Sequence, residues 1–339
     1  MTISLRDARP SANWKDVFSV MRPDLDRVEA RVANVAQVNF PAASALVSDI
    51  VSAGGKRLRP LILLLAARGY QYNEHLDDIV TAAAGIELLH TASLVHDDTV
   101  DRAAIRRGKP TLNSALSSSA AILIGDLLFA HSAMLAAATN SVRVVSIFAA
   151  TLGEICDGQL REMFEGQSLD QTREDYEIRT YGKTASLFAG SAEMGAVLGQ
   201  APDDQIAAIR QYGSDLGMAF QIVDDVLDVT GGSSDLGKPA GNDLRQGTVT
   251  LPTLMYANTF ERSSESWRQL QAVVGGQASS EADVARVIEA IRGSEAINDS
   301  LQVAETFVGR AKAALSVTPP SETRDLLSAV ADLAVNRAS

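Results

Sequence analysis

Three carboxylates in five positions, Asp97-Asp98-x-x-Asp101 in LVHDDTVD, return 127 positions later as Asp224-Asp225-x-x-Asp228 in QIVDDVLD. No other feature limits the fold as strongly. An α-helix turns about 100° per residue, so Asp97 and Asp101 share a face with Ser93, His90 and Ile86. The second motif stacks Asp228, Asp224, Gln221 and Gly217 in the same way. Carboxylates crowded among apolar neighbours have raised pKa values unless a cation holds them. One such cluster reads equally well as solvated surface. Two copies in the same apolar setting instead require two helices that present acids to shared cations.

Oxygen donors with no histidine or thiolate at ligand spacing select Mg²⁺, which keeps waters and is usually shared with substrate phosphates. A phosphorylated ligand is implied, and basic groups must then surround the same cavity. The sequence offers them in short, turn-bounded clusters: Lys56, Arg57 and Arg59 in GGKRLRP, Arg106 and Arg107 in RRGKPT, Lys183 with Thr184 in YGKTAS, and Lys238 in GGSSDLGKPAG. Arginine forks suit phosphate bidentately and lysine acts as a point charge. Each cluster alone could be helix-end surface; only their joint occurrence carries weight. GSSDLGKP mimics a P-loop, but Pro239 stands where a hydroxyl should bind magnesium and no strand precedes it, so nucleotide binding is rejected there.

Hydrophobic residues make up 46% of the 339 positions and aromatic ones only 5%, with abundant Ala and Leu. That balance favours helices. Helical periodicity covers Pro23 to about Gly54, then 59–70, 76–101, 112–138, 141–166, 172–199, 203–229, 251–259 and 264–274, with further candidates up to Arg337. Breaks fall at Gly108-Lys109-Pro110, Ala201-Pro202 and GGSSDLGKPAGND, and no segment alternates like a strand. The expected fold is all-α: an N-terminal tail over 1–20, then one domain over 21–339, a bundle of ten or more helices around a central cavity.

Forty-two acidic against 30 basic residues give a net charge of −12, which disfavours nucleic acid as a partner. The lone Cys156 closes no intrachain disulfide and reads as a buried small hydrophobe. The N-terminus lacks a secretory core and the apolar run 61–67 is too short to span a bilayer, so a cytoplasmic protein is expected.

GGKRLRP, HDDTVDRAAIRRGKPT, YGKTASL, QIVDDVLD and GKPAGNDLRQGTVTLPTL, in this order, resemble the trans-isoprenyl diphosphate synthases, the polyprenyl synthetase family, over roughly residues 20 to 337. The resemblance implies head-to-tail condensation of isopentenyl diphosphate with an allylic diphosphate (farnesyl or geranylgeranyl), driven by three Mg²⁺ ions, in an all-α homodimer that touches a membrane only transiently for product release. By position, Asp97, Asp101 and Asp224 would be direct metal ligands, with Asp98, Asp225 and Asp228 supporting them through water. Lys56, Arg59, His90 and Arg107 would bind isopentenyl diphosphate; Arg106, Lys183 and Lys238 would grip the allylic diphosphate; Thr184 and Gln221 would face the developing cation. Without the resemblance, His90 reads as an ordinary core histidine. Thr248 departs from the lysine that many relatives carry there, which puts one phosphate contact in doubt.

The resemblance also implies that residues 231–242 close over substrate and that the product runs down between the motif helices. Ala92 and Ser93, one turn (about 5.4 Å) below Asp97, are small, which favours an all-trans product longer than farnesyl. A closely packed neighbouring helix would explain the same small residues. Phe148 is a candidate for a deeper floor. Alternatives are a geranylgeranyl or farnesyl diphosphate synthase, a subunit of a heteromeric synthase, or a terpene cyclase, which usually has a dissimilar second metal motif.

Overall fold

The computed structural model describes residues 13–35, 41–52, 55–106, 108–231, 240–277 and 280–336. Arg107, Lys238 and most of the 231–242 segment therefore lie outside the described residues. The helices are α1 (Trp14–Val35), α2 (Pro41–Ser52), α3 (Leu58–Arg68), α4 (Leu76–Val100), α5 (Leu112–Ala115), α6 (Ser118–Ala138), α7 (Val142–Glu165), α8 (Arg173–Thr180), α9 (Ser186–Leu198), α10 (Asp203–Thr230), α11 (Asn242–Arg245), α12 (Leu251–Ala257), α13 (Glu265–Val274), α14 (Glu281–Arg292), α15 (Ala296–Ala314) and α16 (Glu322–Val335). A π-helical turn, Tyr181–Ala185, joins α8 to α9.

The centre of the bundle is α3, α4, α9 and α10. On α3, Leu61 to Leu65 are buried on every side, as expected of a helix surrounded by others. Alternating small residues let the layers approach closely: a Cβ on Gly195 would stand 2.2 Å from the Leu63 carbonyl, and one on Gly213 2.6 Å from that of Phe188. Both α4 and α6 are long and apolar enough to cross a membrane by length and composition, but 78% of the apolar window of α4 is buried inside the bundle.

Three expectations need amendment. The first helix begins at Trp14 and buries Val17 and Met21, so ordered structure starts inside the expected tail. The helix expected over 112–138 is divided, because Ser117 is extended and its hydroxyl accepts the Ala120 N–H as an N-cap. A strand pair does occur, Ile105–Arg106 against Lys109–Pro110, too short to show alternation; Gly108 turns it with φ 77°.

Candidate active site

The first motif sits at the end of α4, where Arg102 takes a left-handed φ of 51°. The Ala103 N–H reaches the Asp98 carbonyl at 2.9 Å and the Arg102 N–H reaches that of Thr99, a Schellman-type stop that leaves Asp101 just past the last helical residue. The second motif occupies the last two turns of α10, which ends at Thr230.

Both motifs wall one polar cleft of about 120 Å³, whose lining includes Asp101, Glu162, Lys183, Gln221, Asp225 and Asp243. Lys183, one of the lining residues, acts on Asp97, Asp101 and Asp243 alike. Its ammonium is ion-paired with Glu162. Burial alone would lower its pKa, but Glu162 and Asp97 outweigh that and raise it. Burial pushes the Asp97 carboxyl up to about 6 even though Lys183 opposes the shift, and Asp101 is raised in the same way.

Lys183 reaches this position through the π turn. Gly158 of α7 touches its backbone so closely that a Cβ would stand 2.2 Å from the Lys183 nitrogen and 2.6 Å from the Gly182 carbonyl carbon. From the other side, a Cβ on Gly217 of α10 would lie 2.5 Å from Ala185 Cα. The widened turn is thus held between two glycines, and π turns of this kind recur at functional sites.

The inner acids are held by hydrogen bonds. Tyr176 OH donates to one oxygen of Asp225 at 2.7 Å and Gln221 Nε2 to the other at 2.8 Å, while Thr184 Oγ1 donates to Gln221 Oε1 at 2.9 Å. Burial raises Asp225 to about 7 against those bonds. Asp98 is buried and receives Arg106 Nε at 2.7 Å. Asp228 accepts the backbone N–H groups of Asn242 and Asp243 at 3.2 and 3.1 Å, which ties α11 to α10. Asp98, Asp225 and Asp228 thus serve as anchors in this structure.

Sequence reasoning missed Glu162 and Asp243. Burial, then Asp228 and Asp225, raise Asp243 well above the carboxylate range. Its signal was its place in the GKPAGND segment; for Glu162 it was Gly158, one turn earlier. Thr248 also lines the cleft, so the missing lysine would have pointed its charge there or close by.

The other basic group is apart from this one. Arg59 Nη1 meets His90 Nε2 at 3.2 Å and its guanidinium stacks 4.6 Å from the centre of the Phe188 ring. Arg57 is committed elsewhere, to Glu87 at 2.6 Å and to the Val51 carbonyl at 2.9 Å. Lys56 is exposed. A second cavity, about 340 Å³ and mostly apolar, lies between α2, α4 and the strand pair with the start of α5; Arg57, Glu87, His90, Asp98 and Arg106 are in its lining.

Of the wall residues, Ala92 is fully buried, Ser93 is half-buried with its hydroxyl donating to the His90 carbonyl at 2.8 Å, and Phe148 is 5% exposed. Cys156 is exposed, contrary to its reading as a buried hydrophobe, because it falls on the outer face of α7.

The described residues contain no group of three His, Cys, Asp or Glu side chains gathered as a metal cage. The donors are still right for magnesium. It needs only one or two carboxylates per ion when phosphate oxygens and waters complete the octahedron.

Two acidic helix ends around one half-buried lysine fit the diphosphate chemistry implied by the motifs. The polyprenyl synthetase profile matches residues 41–291. The chain belongs to the polyprenyl synthetase family. It is 37% identical over 313 residues to heptaprenyl diphosphate synthase component 2 of Geobacillus stearothermophilus, covering 92% of this chain and 95% of that one. It is 33% identical over 329 residues to the octaprenyl diphosphate synthase of Escherichia coli K12, covering 96% and 99%. The crystal structure of a polyprenyl synthase from Caulobacter crescentus, complexed with calcium and isoprenyl diphosphate, superposes with a TM-score of 0.90 at 35% identity, over 98% of this chain and all of that one. This polyprenyl synthetase is therefore a trans-prenyltransferase with an isoprenoid synthase fold.

Folding raises the pKa values of Asp97 and Asp225, so their charged forms cost stability. That cost is absent below the unfolded value of about 3.9, grows as pH rises, and is complete above about 7. The metal-free protein should therefore lose thermal stability between about pH 4 and 7 and level off above that. Magnesium with inorganic diphosphate should raise its Tm more at pH 8 than at pH 5.5, by about 3–5 °C in differential scanning fluorimetry. Equal shifts at both pH values would contradict this electrostatic reading.

Proposed function

We propose that the protein condenses isopentenyl diphosphate with farnesyl or geranylgeranyl diphosphate to give an all-trans polyprenyl diphosphate longer than farnesyl. The observation that carries this reading is the single cleft walled by Asp101 of the first motif and Asp225 of the second, with Lys183 between the two helices. Asp97, Asp101 and Asp224 would hold Mg²⁺, which when bound supplies Lewis-acid stabilisation of the leaving diphosphate.

The chain's own groups do the rest. Lys183, released from Glu162, gives a point charge to the allylic diphosphate. Arg59 and His90, already in contact, would take the isopentenyl diphosphate together with Lys56 and Arg107 on one side of α4; Arg106 and Lys238 would assist on the allylic side. The allylic carbon–oxygen bond breaks with its electron pair leaving on diphosphate. The alkene of isopentenyl diphosphate then attacks that carbon, and the departing diphosphate takes the proton. Thr184 and Gln221, locked by Asp225, present fixed dipoles to the developing cation. The surrounding apolar helices exclude water from it.

A homodimer fits the outer face of α6, where Ile122, Leu123 and Met134 are 45, 68 and 67% exposed. Static light scattering should give twice the chain mass. A cytoplasmic enzyme that meets the membrane only to release product is consistent with α4 being mostly buried.

The test is to incubate the purified protein with Mg²⁺, labelled isopentenyl diphosphate and, separately, geranyl, farnesyl and geranylgeranyl diphosphates, then size the products. Products beyond farnesyl, abolished by EDTA, are expected. No elongation with any primer would favour a subunit of a heteromeric synthase, as the naming of a relative as component 2 suggests; cyclised hydrocarbon would favour a cyclase. Ser93→Phe should shorten the main product by at least one isoprene unit, since the ring would fill the space a turn below Asp97. An unchanged length would remove Ser93 from the channel wall.

A further inference from the structure

The last turn of α4 has an electrostatic problem. Asp97 and Asp98 lie within it, Asp101 follows directly, and no basic residue falls in that turn. A helix C-terminus carries partial negative charge, so this is where carboxylates are least welcome, and helix ends fray first. Asp98 is restrained by Arg106. Asp97 and Asp101 are drawn toward Lys183 across the cleft, and the backbone stop at Arg102 and Ala103 closes the helix behind them. A contact on the opposite face of the turn would hold it from its other side.

His96 points the other way, into α6. Its Nε2 lies 3.1 Å from the Ile122 carbonyl, which can only accept, so this nitrogen carries the proton and donates. The same atom is 3.5 Å from Asp126 Oδ1. The ring meets Phe129 edge-on, with centroids 5.0 Å apart. Gly125 forms the notch that receives it: a Cβ there would stand 2.3 Å from Nε2 and 2.4 Å from Cδ2. A polar bond, an aromatic contact and a missing side chain thus converge on the residue that precedes Asp97.

We propose that His96 is a positioning residue that pins the last turn of α4 to α6 and so preorganises Asp97 and Asp101. The inference rests on the reading of those two acids as magnesium ligands. Groups behind a ligand that fix its orientation commonly change metal affinity by about 10–100-fold when removed.

Four variants separate the parts of the contact. His96→Phe keeps a ring against Phe129 but loses the donor. His96→Gln keeps an N–H long enough to reach the Ile122 carbonyl, whereas His96→Asn keeps one too short. Gly125→Ala leaves His96 intact and fills its notch, on a helix that alanine itself favours.

The first readout is hydrogen exchange in the metal-free protein and needs no turnover. Amides 97–103 should exchange about tenfold faster in His96→Phe, His96→Asn and Gly125→Ala, and near the wild-type rate in His96→Gln, with the end of α10 unchanged in all four. The second is the magnesium concentration for half-maximal elongation, which should rise about tenfold or more in the same three variants while the KM for isopentenyl diphosphate stays within about twofold. Wild-type exchange at 97–103 in His96→Phe and Gly125→Ala would overturn the proposal, as would faster exchange that extends equally into α10. Failure of the wild-type protein to elongate would instead strike the prenyl-transfer reading, and the exchange measurement would still judge His96.

Discussion

Asp97→Asn should reduce elongation by at least about 10³-fold while leaving the metal-free fold as stable as before or more so. The two expectations have one cause. Burial lifts the Asp97 pKa to about 6, so the charged side chain is held in an environment that disfavours it when no cation is bound. The amide keeps the shape and removes that cost. Asp98→Asn should do the reverse. Asp98 is buried and bonded to Arg106 at 2.7 Å, and weakening that pair should cost about 1–3 kcal/mol of stability with a smaller loss of rate. Kinetics alongside chemical denaturation of both variants will show whether the outer and inner acids divide in this way. A destabilised Asp97→Asn would mean that its carboxylate is structural.

Gly158→Ala should be strongly damaging. Its Cβ would overlap backbone atoms of Gly182 and Lys183, at 2.6 and 2.2 Å, and backbone has no rotamer by which to withdraw. Overpacking of this kind costs about 1–3 kcal/mol. The larger effect should be on catalysis. Separating α7 from the π turn moves Lys183 by up to about 1 Å relative to both acid motifs, and a displacement of that size can cost about 100-fold in rate. The KM for the allylic diphosphate should rise with it, while that for isopentenyl diphosphate should change less, because Arg59 and His90 lie on α3 and α4 and Arg59 meets the segment after the turn only through the Phe188 ring. A steady-state comparison with both substrates checks this. Equal effects on the two KM values would show that the distortion spreads beyond the turn.

The parts of this site that could be read in the chain were those encoded by repetition and period. The two DDxxD motifs declared their helices because apolar spacing surrounds them, and the bounds found, Leu76–Val100 and Asp203–Thr230, differ from expectation by one residue each. The π turn could not be read, because it depends on Gly158 and Gly182 meeting across 24 positions, and no local pattern encodes that contact. Glu162 was hidden by its neighbours. Arg161 pairs with Asp157 and Glu165 on the exposed side of α7, so the stretch looks like ordinary surface charge. Asp228 shows a different limit: its motif position suggests support of a metal through water, and nothing local signals that its oxygens also accept the amides that open α11.

The pairing of Lys183 with Glu162 also bears on how the enzyme can be loaded. An incoming phosphate finds the ammonium already neutralised, and an incoming cation finds, among the described residues, no cage of three side-chain donors. On the proposed reading each arrival would supply what the other lacks, and the cleft would act as a coincidence detector. Equilibrium dialysis should find weak retention of magnesium or diphosphate alone and tight retention of both together.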